Sequence, residues 1–271
     1  MRSCISCVAY AATFSLLLSA SGRAQSLGDS MLPPRPAAIS QLAFEGSPVS
    51  CAHPFGLREG QNLEYLVLNN KGKATGAWRY RVIKISIDSA SGKKKKAVTT
   101  TSIRLKSGLY DLTNHVLAQQ DLTYFCRNDT TFTDGLGEIN YEGLKSFRDR
   151  LMSYKGTPLP WPNQPVPGSA LGEGGAVVQV SSPSVAIAKV KTTIFQRKVV
   201  AGPAPVTVPA GTFSCYTVES RHELATAARA DLVLKGGGRE IDYYDPAVGI
   251  VKTEYYDKKG KLAQTRVLSK H

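Results

Sequence analysis

The sequence is poor in the residues that build metal and redox centres. It holds five Cys, four His and three Met among 271 residues. Cys4 and Cys7 lie in the N-terminal export signal described below. In the rest of the chain Cys51 and His53 form a close pair, but no second Cys or His pair stands at the spacing that a zinc site needs. The sequence therefore predicts no metal ion and no other cofactor.

Long apolar runs are missing after the N-terminus, which excludes a membrane-spanning helix from the body of the chain. Apolar residues make up 42% and charged residues 20%, with 24 Gly and 15 Pro. This composition is too apolar for a disordered chain and too ordinary in Gly and Pro for a fibrous one. We therefore expect a globular protein with one large domain or two small ones.

The N-terminus has the pattern of an export signal. Arg2 precedes a short apolar stretch, and Gly22 and Ala24 form a small-x-small cleavage site. The stretch is too short for a membrane anchor, so we expect cleavage after Ala24 and export to the periplasm or the extracellular space. Residues 25–48 are rich in Pro, Ser and Ala and predict a flexible leader. Residues 49–271 predict a single β-rich domain.

The formal net charge is +13, and many lysines fall in expected turns. One interpretation is that clustered ammonium groups bind the phosphates of envelope lipids. The other, which we favour, is that these lysines keep exposed turns hydrated and discourage pairing between sheet edges. Nucleic acid is not an expected partner, because the basic runs lack interleaved aromatic residues and the chain is exported. The lysines concerned are Lys71, Lys73, Lys93, Lys94, Lys95, Lys96, Lys258, Lys259 and Lys261.

The body of the chain alternates short β-type runs with turn residues. The apolar phase of one run shifts at Val82 and Ile83, which indicates a β-bulge. Pro209 and Gly211 predict a tight hairpin, and glycines 236–238 predict a turn or a flexible tip. We expect a mainly β protein of roughly ten antiparallel strands in a curved sheet or a partly open barrel, with one amphipathic helix.

The expected helix covers residues 141–154. Its apolar residues recur at intervals of three and four, opposite charged ones, and are Leu144, Phe147, Leu151 and Tyr154. Prolines crowd residues 156–168 and predict an extended connector. If the domain consists of two halves, the helix and connector at about residues 141–168 join them.

Six motifs are spread over nearly the whole chain after the leader: CAHPF at 51–55, EGQNLEY at 59–65, YFCRNDTTF at 124–132, LPWP at 159–162, VTVPAGTFSCYTV at 206–218 and YYDPAVGIVKTEYYDKKGKL at 243–262. Together they resemble the TapB-like family of secreted Gram-negative envelope proteins. The resemblance implies an exported, mostly β protein of unassigned function, with no catalytic residues to carry over. As a fold analogy, it also implies a distant likeness to curved-sheet carriers of lipids and lipoproteins.

None of the possible catalytic motifs is complete. Ser30 ends a Gly-Asp-Ser sequence like that of serine esterases, but no apolar strand precedes it. His53, His115 and His222 lie on separate segments, so the sequence allows only a dispersed triad. We expect no enzymatic activity and keep a hydrolase with such a triad as an alternative.

The leading hypothesis is a non-catalytic envelope protein that binds an apolar or amphipathic ligand or partner, such as a lipid or another envelope protein. Large aromatic residues are candidates for the wall of a ligand cavity, although the same residues would serve equally well as ordinary core. The other alternative is a structural or assembly subunit, which would expose an apolar patch or a bare sheet edge. The candidate wall residues are Trp78, Tyr80, Phe147, Trp161 and Phe195.

Removal of the signal leaves three cysteines in an oxidising compartment, where one internal bridge can form. Cys51 and Cys126 lie at the ends of expected strands, where the backbone adjusts easily. Cys215 lies within a strand that the hairpin turn pins to its partner. Three pairings are possible, and we predict a Cys51–Cys126 disulfide with Cys215 as a buried thiol.

Overall fold

The computed structural model describes residues 51–92, 95–229 and 232–271. The predicted export signal and leader lie outside them. The described residues form one antiparallel sheet, a short helix α1 (Tyr141–Leu144), and 3-10 turns at Pro54–Gly56, Gly135–Glu138 and Lys145–Phe147. The strands are β1 (Asn62–Asn69), β2 (Ala74–Gly92), β3 (Lys95–Tyr110), β4 (Val116–Arg127), β5 (Thr130–Thr133), β6 (Leu151–Thr157), β7 (Leu159–Pro162), β8 (Ala170–Leu171), β9 (Gly174–Ser181), β10 (Ala186–Val208), β11 (Gly211–Arg229), β12 (Leu232–Asp245), β13 (Gly249–Asp257) and β14 (Leu262–Lys270).

The sheet curls until its two ends meet. Its strand order is β6-β9-β10-β11-β12-β13-β14-β1-β2-β3-β4-β5-β7, and β8 pairs with β10. The turn Gly135–Glu138, which follows β5 near one end of the sheet, packs against β6 and β9 at the other end. The approach is so close that a Cβ at Gly135 would lie 2.2 Å from the carbonyl oxygens of Thr157 and Gly175. Only glycine fits there, so the closure of the sheet depends on the glycine at position 135.

The mainly β, antiparallel class is confirmed, but fourteen strands stand where roughly ten were expected. The strands that sequence analysis missed are short: β5, β6, β7 and β8. Pro160 and Pro162 had argued against a strand at β7. Both are tolerated because β7 is an end strand that pairs only with β5 among the described strands.

The expected helix over residues 141–154 is wrong in its length. Only Tyr141–Leu144 is α-helical, one 3-10 turn follows, and residues 151–157 form the end strand β6. Asn140 caps the helix by accepting a hydrogen bond from the Gly143 amide at 3.3 Å. The apolar residues of 141–154 therefore do not share one helical face. Leu144 and Phe147 pack on the sheet, whereas Leu151 and Tyr154 are exposed on β6.

Two local predictions are confirmed and one is wrong. The register of β2 against β3 shifts between Val82 and Lys84, which places the bulge where the apolar phase changes. Pro209 and Ala210 connect β10 to β11, with Val208 opposite Gly211. Glycines 236–238, expected in a turn or a flexible tip, lie inside β12 instead; all three pair with β11, and Gly238 also pairs with β13. A Cβ at Gly238 would meet the carbonyl oxygen of Tyr256, so the glycines permit close strand packing.

Most of the expected turn lysines lie at hairpin ends. Lys71 and Lys73 lie at the connection between β1 and β2, and Lys258 and Lys259 lie between β13 and β14. Lys93 and Lys94 lie outside the described residues.

Two apolar clusters fill the fold. The larger lies inside the curled sheet and draws on strands from both ends, including Trp161 of β7 and Val199 of β10. The smaller lies where α1 covers β9 and β10, with Leu144, Val178 and Val190 at its centre. Residues on both sides of the 141–168 segment therefore belong to the same sheet.

A disulfide joins Cys51 to Cys126, with a Cα–Cα distance of 5.2 Å, and Cys215 is a buried free thiol. This agrees with the predicted pairing. The bridge ties the segment before β1 to the end of β4 and closes a loop across 75 positions. It therefore fixes the turn Pro54–Gly56, which follows directly, against the sheet.

Candidate ligand site

A cavity of about 60 Å³ lies inside the curled sheet, beneath the turn Pro54–Gly56 and the start of β13. Its walls combine apolar side chains with a few polar groups, which is typical of ligand sites. The apolar lining comprises Phe55, Leu57, Leu63, Leu105, Val248 and Ile250, and the polar lining includes Tyr65, Tyr80, Tyr124, Thr133, Asp134, Glu138 and Arg266.

Arg266 supplies the positive charge of this cavity. It lies on β14, opposite Thr253 of β13 and Val67 of β1. Its Nη2 donates a hydrogen bond of 2.8 Å to the Tyr255 hydroxyl, and it makes no ion pair with any residue that the structure describes. Burial acts to lower the pKa of Arg266, but Tyr255 and nearby acidic groups raise it above its ordinary value. The guanidinium therefore stays charged and keeps donors free for a ligand.

Glu138 places a carboxyl group in the same cavity. It ends the turn Gly135–Glu138, whose start is held because Asp134 Oδ1 accepts a hydrogen bond of 3.0 Å from a backbone amide of the turn. Burial raises the pKa of Glu138, although the charges of Arg266 and Arg197 act against this. The carboxyl therefore holds its proton more readily than an exposed glutamate does.

Three tyrosines from β1, β2 and β4 complete the polar side of the cavity. The Tyr65 hydroxyl donates a hydrogen bond of 2.9 Å to the carbonyl oxygen of Ile250. Burial raises the pKa of Tyr65, Tyr80 and Tyr124, so all three are neutral phenols at physiological pH. Neutral phenols can donate or accept hydrogen bonds, so this side of the cavity can bind a polar head group.

A pair of buried acids lies deeper in the same interior. Glu240 and Asp242 face inwards from β12 and are 4% and 3% exposed. Thr253 donates a hydrogen bond of 2.7 Å to Asp242 Oδ1. Burial, followed by the negative charge of Asp242, raises the pKa of Glu240 well above its ordinary value. Glu240 Oε2 and the neighbouring Ser220 Oγ are both buried without a hydrogen-bond partner among the described residues.

The five candidate wall aromatics do not form one surface. Only Tyr80 lines the cavity. Trp78 stacks against Tyr80, with ring centroids 6.3 Å apart, but stays outside the lining. Trp161 is an ordinary core residue, Phe147 packs on the smaller cluster, and Phe195 is half-buried on β10 outside both clusters. The ordinary-core alternative therefore describes Trp161 and Phe147 better.

The histidines form no assembled triad in the part of the chain that the structure describes. His53 is exposed, and His115 is exposed beside Asp111 in the turn between β3 and β4. His222 lies on the same inward face of β11 as Ser220, but Ser220 Oγ has no hydrogen-bond partner. A serine nucleophile needs a hydrogen bond to its base, and Ser220 has none among the described residues.

Sequence analysis missed the charged residues of the interior. On β12 the two faces read Arg239, Ile241, Tyr243 and Glu240, Asp242, Tyr244, so the alternation gives no clearly apolar face. That ambiguity is the one signal that could have indicated a polar interior. Arg266 and Glu138 carry no such signal, because an isolated charge in a strand or turn usually faces solvent.

Other kinds of site find no support among the described residues. No group of His, Cys, Asp and Glu in them is arranged to hold a metal ion. None of their helices is long and apolar enough to cross a membrane.

Comparison with models of protein families shows which family the chain is related to. Residues 58–268, well over half of the chain, match the family described as DUF3108-like. The chain belongs to the DUF3108-like family. The match does not confirm the TapB-like name that the motifs suggested. It also does not point to a family of known catalytic activity.

Two solved structures resemble this DUF3108-like chain. One, from Parabacteroides distasonis, is described as a "putative lipoprotein"; its TM-score is 0.61 and its identity 21%, over 79% of this chain and 95% of that chain. The other, from Bacteroides fragilis, is described as a "putative exported protein with YmcC-like fold"; its TM-score is 0.55 and its identity 18%, with the same coverage. At these identities the likeness shows the fold alone. A comparison with curated proteins finds no match.

Proposed function

We propose that this protein is an exported, non-catalytic envelope protein that binds an amphipathic ligand in its inner cavity. The observation that supports this is the setting of Arg266, a charged guanidinium with free donors opposite an apolar wall that includes Phe55 and Leu57. An anionic head group would bind Arg266, and an apolar chain would lie along the wall. The exported and lipoprotein descriptions of the two similar structures are consistent with an envelope location.

The size of the cavity determines which part must move. A volume of about 60 Å³ is well below the roughly 150 Å³ of an apolar cavity that holds benzene, so an alkyl chain needs more room than this cavity offers. Phe55 forms the movable wall, because it has a positive φ of 55° and covers the cavity from an irregular turn rather than from a strand. Its ring rests edge-on against Tyr124 and Tyr244, at centroid distances of 6.5 and 6.0 Å. A ligand chain would replace these ring contacts.

A fluorescent fatty acid, dansyl-undecanoic acid, tests this proposal. We expect saturable fluorescence enhancement with the wild type and about tenfold weaker binding for Arg266→Gln, which removes the charge that binds the carboxylate. The matched control is Arg239→Gln, which removes a guanidinium that is 44% exposed and paired with Glu219 outside the cavity. Equal loss in both variants, or no binding by the wild type, would contradict the proposal.

A second variant keeps the test independent of folding defects at Arg266. Glu138→Gln preserves the shape of the side chain. It removes a carboxyl group that, when ionised, competes with an anionic head group for Arg266. At a pH high enough to ionise Glu138, we expect tighter binding of the fatty acid, because repulsion between two carboxylates disappears. Native mass spectrometry of protein purified from its own host would then identify the natural ligand by its retained mass.

Assembly through a sheet edge is the second candidate function. Among the described strands, β6 pairs only with β9 and exposes Leu151 (61%) and Tyr154 (53%). A strand from a partner chain can add to such an edge. Light scattering coupled to size-exclusion chromatography would detect the complex, and Leu151→Lys with Tyr154→Lys should dissociate it. A wild-type monomer at all concentrations would exclude self-assembly.

A further inference from the structure

A groove of about 740 Å³ runs along β1–β4 and reaches Lys270 of β14. Leu63 and Tyr80 line both this groove and the inner cavity, whereas the charged residues of the groove alternate with them along the strands and so point to the outer face. The charged lining residues are Glu64, Arg79, Arg81, Lys106, Asp121 and Lys270. Four of these six are basic.

Like charges stand opposite each other along this face. Arg81 of β2 is the register partner of Lys106 of β3, and the next pair on the same face is Lys84 with Arg104. Like charges directly opposite each other on neighbouring strands destabilise a sheet. On its other side Lys106 is the register partner of Asp121 of β4, which offsets only one of these four positive charges. The two consecutive pairs therefore remain unfavourable for the fold alone, and a bound anion would offset their repulsion.

The side chains of the two like-charge pairs differ from that of Arg79, because they have no bonding partner among the described residues. Arg79, on the same face, is held by Glu64 Oε2 at 2.8 Å and by Asn114 Oδ1 at 2.8 Å, and it stacks on Tyr110. By contrast, none of the side chains of the two like-charge pairs makes an ion pair or hydrogen bond with a described residue. All four are exposed: Arg81, Lys84, Arg104 and Lys106. One wall of the groove is thus rigid, while its cations remain available.

We propose that this outer groove binds a phosphate group, with Arg81 and Lys106 as the principal contacts and Lys84 and Arg104 extending the site. A guanidinium binds two phosphate oxygens at once, and an ammonium adds a point charge. The phosphate belongs either to an anionic lipid head group or to a free phosphate. None of these four cationic residues lines the inner cavity, so the proposal does not depend on the amphipathic ligand proposed for that cavity.

A charge-matched pair of double variants tests the proposal. Arg81→Gln with Lys106→Gln removes two charges from the groove, and Lys258→Gln with Lys259→Gln removes two charges from the turn between β13 and β14. Cosedimentation with phosphatidylglycerol and phosphatidylcholine vesicles tests lipid head groups. The melting temperature in inorganic phosphate, against chloride at equal ionic strength, tests free phosphate. We expect about tenfold weaker binding for the groove variant and little change for the control.

Each outcome decides the proposal or the source of the phosphate. Binding to phosphatidylglycerol without stabilisation by inorganic phosphate assigns a lipid head group, and the reverse assigns a free phosphate; both support the site. Equal loss in the two double variants would show general charge attraction and overturn it, as would a wild type that responds to neither probe. Without any ligand, the groove variant should melt at the same temperature as the wild type or higher, because repulsion is removed. A lower value would contradict the repulsion on which the proposal depends.

Discussion

The guanidinium of Arg197 lies over the indole ring of Trp161, 4.4 Å from its centroid. The same Arg197 Nη1 donates hydrogen bonds to the carbonyl oxygens of Pro160 at 3.0 Å and Gly172 at 2.9 Å. Trp161 and Pro160 belong to β7, one end of the sheet, and Arg197 belongs to β10, near the other end. With 2% of its surface exposed, Arg197 fastens the two ends of the curled sheet from within.

Replacing this arginine should loosen the closure of the sheet. Arg197→Met keeps much of the side-chain length but leaves the carbonyls of Pro160 and Gly172 without their donor. We expect the free energy of unfolding to fall by about 2–4 kcal/mol, measured by urea denaturation. The control is Arg221→Met on β11, an exposed position where a change within about 0.5 kcal/mol is expected. Equal stability of the two variants would show that Arg197 does not carry the closure.

The disulfide should contribute a comparable amount. Cys51 and Cys126 are separated by 75 positions, and the chain-entropy estimate for closing a loop of that length is about 4 kcal/mol. Cys51→Ser with Cys126→Ser should lower the free energy of unfolding by about this amount. Wild-type protein unfolded under reducing conditions provides the comparison and should match the double variant. A difference below about 1 kcal/mol would indicate that the unfolded chain is already compact near this loop.

Cys215 should be chemically silent in the folded protein. Burial, followed by the negative charge of Asp245, raises the pKa of its thiol to about 12, so almost no thiolate forms at mildly alkaline pH. We expect no reaction with Ellman's reagent until the protein is unfolded in guanidinium chloride. A Ser214→Cys variant places an exposed thiol one position away and serves as the reactive control. Rapid reaction of the wild type would mean that β11 opens readily.

The long strands could be predicted from the sequence because local signals agree with their environment. The change of apolar phase at Val82 and Ile83 predicts the bulge, and Pro209 predicts the start of the β10–β11 turn. Three of the four short strands, β6, β7 and β8, could not be predicted, because each pairs with a strand that is not its neighbour along the chain. β6 is the clearest case, since its exposed Leu151 and Tyr154 continue a helical spacing and its partner β9 follows only after β7 and β8.

The interior site was unpredictable for a related reason. Trp161 and Phe147 were candidates because large aromatic residues usually lie inside, and they do so here as core. Charged residues usually face solvent, so the sequence did not indicate burial of Arg266, and for Glu240 the only signal was the ambiguous alternation of β12. Their burial follows from curling a fourteen-stranded sheet around one interior, where every second residue of a strand points inwards.

Glu240 should make the stability of the fold depend on pH. Its pKa, 4.5 in an unperturbed glutamate, is raised well above that value by burial first and by Asp242 second. The folded protein therefore binds this proton more tightly than the unfolded chain does. The stabilisation is complete below the unfolded pKa and is lost as the pH rises through the folded pKa.

Glu240→Gln keeps a neutral side chain of the same shape at every pH, so its stability relative to the wild type should increase from about pH 5 to about pH 8. Urea denaturation at several pH values measures this difference. Glu142→Gln, at a side chain that is 77% exposed on α1, is the control and should show no such trend. A difference between Glu240→Gln and the wild type that stays constant across this range would mean that Glu240 does not titrate there, and that the buried acids do not give the interior its pH dependence.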